Sequence, residues 1–121
     1  MSKKWINVIL TTLVGLVFVG SAVGKFMADA EALKMAESFG LDATTNYVLG
    51  VIEIVAVFLF ILPRTGILGT LLLAAYLGGA IATHLEHGES VLIPCLIQAV
   101  LWLVALYRFP ELGTRLFKGK P

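Results

Sequence analysis

The sequence predicts an all-α integral membrane protein: four transmembrane helices bundled into one domain over residues 1–121. Three observations predict it. Apolar residues fall into four long blocks, 6–23, 47–62, 67–83 and 91–107. Charged residues make up 14% of the chain, against about 25% in a soluble domain, and the mean hydropathy is +0.95. The basic residues also gather at alternate connections, as successive spans require. Each block holds 16 to 18 residues, or roughly 24–27 Å of helix against a hydrocarbon core of about 30 Å. Flanking aromatic residues such as Trp5, Tyr47 and Tyr107 carry the spans to the interface.

The first span follows Lys3 and Lys4 and ends in small residues at 20–24. That layout imitates a secretory signal. The apolar run exceeds the usual signal core of about 7–15 residues, and three more spans follow, so an uncleaved signal-anchor helix is expected. Gly20 and Gly24 form a GxxxG pattern, a spacing that allows close contact with another helix. In the connection 24–46, Leu33, Ala36 and Phe39 share one face at spacings of three. This predicts a short external amphipathic helix over 29–39, lying as a cap between the first two spans. Gly40 suits the position just past its end.

The second span carries Glu53, six residues or roughly 9 Å below Tyr47. A carboxylate at mid-membrane costs about 2.5–3.5 kcal/mol on insertion scales, so it should face the bundle interior with a partner. Gly50, Ala56 and Val57 share its face, while Phe58, Phe60 and Leu62 fall mostly on others. A face of small residues lets helices approach. Residues 63–66, Pro-Arg-Thr-Gly, make a tight turn, because proline cannot continue the helix and glycine permits the reversal. The second and third spans are therefore antiparallel neighbours. The third ends at Thr83 and His84, and the fourth carries Gln98 on a face with Pro94, Cys95 and Trp102.

The charges set an orientation. Lys3, Lys4, Arg64, Arg108, Arg115, Lys118 and Lys120 lie at one end of the spans, and only Lys25 and Lys34 at the other. Seven against two places both termini in the cytoplasm. Ser21, Lys25, Glu53, Thr83, His84, Cys95 and Gln98 then all lie in the outer half of the membrane. Polar groups from four helices at one depth predict a pocket open toward the outside, with Glu53, Lys25, His84 and Gln98 as the candidate site. Two readings of Glu53 and Lys25 stand: an ion pair that fixes helix register, or a ligand-binding or proton-handling pair. Gln98 reads most simply as a hydrogen bonder between helices.

Other chemistry is thinner. Cys95 is the only cysteine, which excludes an intrachain disulfide and a self-contained disulfide-exchange enzyme of the vitamin K epoxide reductase kind. His84 and His87, three apart around Glu86, resemble a metal-binding spacing, but no further histidine follows, and no metal centre is expected. A formal net charge of +1 offers no nucleic-acid surface.

The layout resembles the DoxX-like family of small four-helix bacterial membrane proteins. The matching features run over nearly the whole chain: Gly24-Lys25-Phe26 after the first span, Phe39-Gly40-Leu41, Gly50 and Glu53, Leu62-Pro63, and an alanine-rich third span ending in His84. The resemblance implies a multi-pass protein of the bacterial cytoplasmic membrane, with Lys25, Glu53 and His84 carried over as the site. Relatives in the wider group are membrane subunits linked to thiosulfate:quinone oxidation or to redox-protection complexes. It therefore implies an accessory or binding subunit beside a redox partner. Its pocket would hold a quinone-like or lipid-like ligand and no covalently bound cofactor. A proton-coupled transporter is one alternative, although the embedded glutamate of small multidrug-resistance proteins resembles a first-helix carboxylate that this chain lacks. An isomerase-type intramembrane enzyme is another, and it needs a second proton-handling group within reach of Glu53.

Overall fold

The computed structural model describes residues 2–119, and Lys120, counted among the basic residues above, lies outside them. Among the described residues the chain is all helix and turn. In order come α1 (Lys3–Met27), α2 (Ala30–Ser38), α3 (Ala43–Ile61), α4 (Gly66–Glu86), α5 (Leu92–Arg108), α6 (Pro110–Gly113) and a π-helical turn, Thr114–Lys118. Helices α1, α3 and α4 are each long and apolar enough to cross a membrane. With 17 residues, α5 reaches that length only together with the segment after it, which bends away by 109°. The bend has a local cause. Phe109 precedes a proline, which disfavours the helical region at that residue; Phe109 sits at φ −122°, ψ 84°, and Pro110 opens α6.

The four long helices alternate in direction around a ring, α1–α3–α4–α5, each packed on its two neighbours. Phe18, Phe60, Leu73 and Leu101, one large side chain per helix, are fully buried at the centre. Small residues hold the seams, among them Ala22, Ala56, Gly69 and Ala105. The outward faces are apolar too: Leu16, Phe58, Leu71 and Leu103 are all exposed. Such a continuous apolar girdle is foreign to a water-facing surface and matches hydrocarbon.

The face of α3 that bears Glu53 is the packed one, with Gly50, Ala56 and Val57 buried beside it. Phe60 corrects the expectation, because seven residues on is two full turns and returns it to that face, where it is fully buried. The GxxxG spacing goes unused. A side chain added at Gly20 or Gly24 would meet nothing within 4 Å, so among the described residues neither glycine makes a close helix contact within this bundle. The close approach lies instead at Gly69, where an added Cβ would sit 2.1 Å from the backbone nitrogen of Phe60.

The ends of α3 are secured by side chains. Its last carbonyls have no partner within the helix and no water in lipid to take them. Thr65 Oγ1 donates to the Leu59 carbonyl at 2.8 Å, and the Arg108 guanidinium donates to those of Phe60 and Ile61. At the other end Asp42 accepts from Thr45 N–H at 2.7 Å, the capping arrangement that opens a helix. That bond holds the Asp42 carboxyl below its ordinary value. A lowered pKa stabilises the fold fully above the ordinary carboxylate value of about 3.9, and the contribution is lost as pH falls through the lowered value. Asp42→Asn caps without titrating, so its thermal stability should fall less steeply below that pH than that of the parent. Parallel acid slopes in the two proteins would refute the assignment.

Candidate functional site

At the end of the bundle where α1 turns into α3, three helices bring their polar side chains together. Ser21 and Lys25, one turn apart on α1, share a face, and Lys25 Nζ donates to Ser21 Oγ at 2.7 Å. Lys25 Nζ also lies 3.2 Å from Glu53 Oε1 on α3. From α4, the Tyr76 hydroxyl donates to the same oxygen at 3.4 Å, and the Lys25 ammonium stands 5.7 Å from the centre of the Tyr76 ring, within cation–π range. The Glu53 side chain is 1% exposed and that of Lys25 19%. The carboxylate is thus buried and the ammonium reaches its edge. Both contacts to Glu53 fall on Oε1, and Oε2 accepts no hydrogen bond from the described residues.

This cluster forms part of the wall of a cavity of about 760 Å³. Its other walls are mostly apolar, from α1, α3, α4, the start of α5 and α2. Helix α2 is capped by Asp29, which accepts from Ala32 N–H at 2.8 Å; it contributes Met35 and Ala36 to the wall, and Phe39 just past its end adds a third residue. Phe39 stacks on His84 with ring centres 4.5 Å apart. Gly40 follows at φ +73°, with His87 Nε2 only 3.0 Å from where a Cβ would lie, so both backbone and space require glycine there.

The sequence profile of the DoxX-like family matches residues 9–107. The chain belongs to the DoxX-like family. No curated protein and no solved structure matches it. The matched stretch contains every residue of the cluster, and three to four apolar helices accord with a membrane protein of this family.

The residues singled out in this DoxX-like sequence are placed as follows. Lys25 and Glu53 meet. His84 lines the same cavity, and its Nδ1 donates to the Ala80 carbonyl at 2.7 Å, an acceptor that assigns the ring proton to Nδ1. Gln98 does not join the cluster. It lies outside the cavity wall, and its Nε2 donates to the Ala74 carbonyl of α4 at 3.1 Å, while its buried Oε1 finds no partner among the described residues. Shared depth did not imply a shared face. His87 Nδ1 bonds the Thr83 carbonyl at 3.0 Å, and among the described residues no three His, Cys, Asp or Glu side chains converge as metal ligands would. Cys95 is exposed on the outward side of α5.

Three polar residues of the cavity wall escaped sequence reasoning: Tyr76, Asn46 and the exposed Thr45. Tyr76 reads as one more apolar residue in its span, yet Tyr76, Ala80 and His84 recur at spacings of four, and all three line the cavity. That stripe was the available signal. Asn46, buried in the first turn of α3, also lines it, and nothing in its neighbourhood distinguishes it from a solvated residue at a helix start.

Proposed function

We propose that this DoxX-like protein is an accessory or binding subunit of a membrane redox system in the bacterial cytoplasmic membrane. Its cavity receives the head group of a quinone-like or lipid-like ligand. The chain forms one transmembrane domain over residues 1–121, with both termini cytoplasmic. The cavity then lies in the outer half of the bilayer, with α2 outside, above it. The excess of basic residues at the opposite end supports this orientation.

The observation that carries the reading is Glu53 in the wall of an otherwise largely apolar cavity. About 760 Å³ falls within the roughly 300–1,000 Å³ of small-molecule sites, which pair apolar walls with a few convergent polar groups. The residues present fit a quinone: Lys25, with one N–H beyond those it gives to Ser21 and Glu53, supplies a donor for a carbonyl oxygen, and Oε2 of Glu53 supplies an acceptor for a hydroxyl of the reduced form. A bound quinone would supply two-electron, two-proton chemistry. The chain's own part is to hold the head group and to offer or take a proton at Glu53. Electrons would come from a partner protein in the membrane.

Difference infrared spectroscopy tests this with ubiquinone or menaquinone added to the reconstituted protein. A carboxyl band that responds to quinone and vanishes in Glu53→Gln is expected. A band indifferent to quinone, or one that persists in Glu53→Gln, would overturn the role.

One observation favours a second reading. An isomerase-type enzyme needs a second proton-handling group at Glu53, and the Tyr76 hydroxyl supplies one at 3.4 Å. Lipid analysis of a deletion strain would then show an accumulated lipid precursor that Glu53→Gln and Tyr76→Phe both fail to clear. An unchanged lipid profile removes this reading.

A further inference from the structure

A second apolar space lies in the seam between α1 and α5, a groove of about 220 Å³. Leu10 and Leu13 line it from one side, Leu96, Val100 and Val104 from the other, and no polar side chain borders it. Groove and cavity share three wall residues, Val17 and Phe18 of α1 and Ile97 of α5. The two spaces therefore adjoin along one seam. That seam is the weaker of the two that α1 makes, since α1 packs more extensively on α3 than on α5. No hydrogen bond among the described residues joins α1 to α5, and Lys3 over the Tyr107 ring at 5.4 Å lies at the far end from the cavity, so parting the helices beside the groove disturbs dispersion contacts. On the cavity side, α1 presents Gly20 and Gly24, neither with any neighbour within 4 Å of an added Cβ.

The geometry points to the α1–α5 seam as the lateral entry and tail subsite of the cavity, for a membrane amphiphile with a neutral, hydrogen-bonding head and an apolar tail. This rests on the reading of the cavity as a ligand site. The head class follows from charge: Lys25 and Glu53 lie in contact and cancel, leaving hydrogen-bonding dipoles without a net field. A phosphate, carboxylate or ammonium head would find an unlike charge already taken. The tail class follows from the groove, which from Val17 back to Leu10 runs about 10 Å along α1. Lipid chains are as apolar as the groove, so the tail adds little affinity. The seam confers access and position instead, and the test reads position.

The probe is a ubiquinone analogue with a photoactivatable diazirine at its tail end, irradiated with the full chain in lipid nanodiscs and mapped by peptide mass spectrometry. Label should concentrate on Leu10, Leu13, Leu96 and Val100 and be competed by unlabelled ubiquinone. Enrichment over the lipid-facing Phe58 and Leu71 should be on the order of ten-fold, which corresponds to about 1.4 kcal/mol of preference. Leu13→Trp with Val100→Trp narrows the seam at two exposed positions and should remove the enrichment while the Glu53 infrared band still answers to a short-tailed quinone. Label spread evenly over lipid-facing residues, with that band still responsive, overturns the seam and leaves the cavity reading standing. An unresponsive band with no competed label overturns both.

Discussion

Gly69→Ala is expected to unfold at a markedly lower temperature than the parent in detergent micelles. The added methyl would lie 2.1 Å from the backbone nitrogen of Phe60, 2.4 Å from its Cα and 2.6 Å from the Leu59 carbonyl carbon. These atoms belong to a helix backbone and cannot rotate aside, so α3 and α4 must separate. The short turn after Leu62 and the Arg108 bonds to Phe60 and Ile61 oppose that movement at the same end. Overpacking a core typically costs about 1–3 kcal/mol. With rigid backbone on both sides the cost should be roughly 3 kcal/mol or more, a large share of the 5–15 kcal/mol that holds a protein folded. Gly78→Ala and Gly79→Ala on the same helix are the controls, since neither new side chain meets anything within 4 Å. Both should be neutral or gain up to about 1 kcal/mol from better helix propensity. Thermal unfolding of the three variants decides it, and a Gly69→Ala midpoint level with the controls would refute the contact.

The second large effect is expected at the Lys25–Glu53 pair, and it should be asymmetric. Lys25→Met leaves a carboxylate that is 1% exposed without its cation. Breaking a buried pair from one side costs about 3–5 kcal/mol, because the remaining charge is uncompensated. Glu53→Gln leaves Lys25, 19% exposed and near the end of α1. Its long stem can carry the ammonium to the interface, so the loss should be smaller. The double variant removes both charges and should recover most of the stability of the parent. Denaturant titration of the four proteins gives the coupling directly, and additive single effects would show that the contact contributes nothing. The same proteins separate the two readings of the pair. The double variant has no Glu53 band, so quinone is followed there by equilibrium binding of radiolabelled ubiquinone: a double variant that regains stability but no longer binds it assigns the pair to the ligand. One that regains both assigns it to helix register.

Much of the helical framework was legible from periodicity and punctuation. Pro63 and Gly66 bracket the turn between α3 and α4, and Asp29 and Gly40 bracket α2. Gly50, Ala56 and Val57 identified the packed face of α3, because residues three and four apart on a helix must share a side whatever lies opposite. The same rule, carried to seven residues, reaches Phe60. Pro110, which ends α5 and turns the chain, had its signal in the sequence as well.

Helix rotation and inter-helix distance were not legible in the same way. Gln98 and Glu53 lie in one half of their spans, yet Gln98 turns to the Ala74 carbonyl and Glu53 to Lys25 and Tyr76. Gly20 and Gly24 have the spacing of a helix contact and make none within this bundle, while Gly69 makes one without that spacing. Arg108, a topogenic charge in the sequence, is also the donor that completes the last turn of α3. By itself the sequence determined the all-helical framework, the membrane character and the face on which Glu53 lies, because each follows from hydrophobicity and from the geometry within one helix. Only the tertiary structure decided that Tyr76 and not Gln98 shares that carboxylate, and that a cavity opens beside it. Those depend on how side chains of different helices fill the space between them, which no single helix specifies.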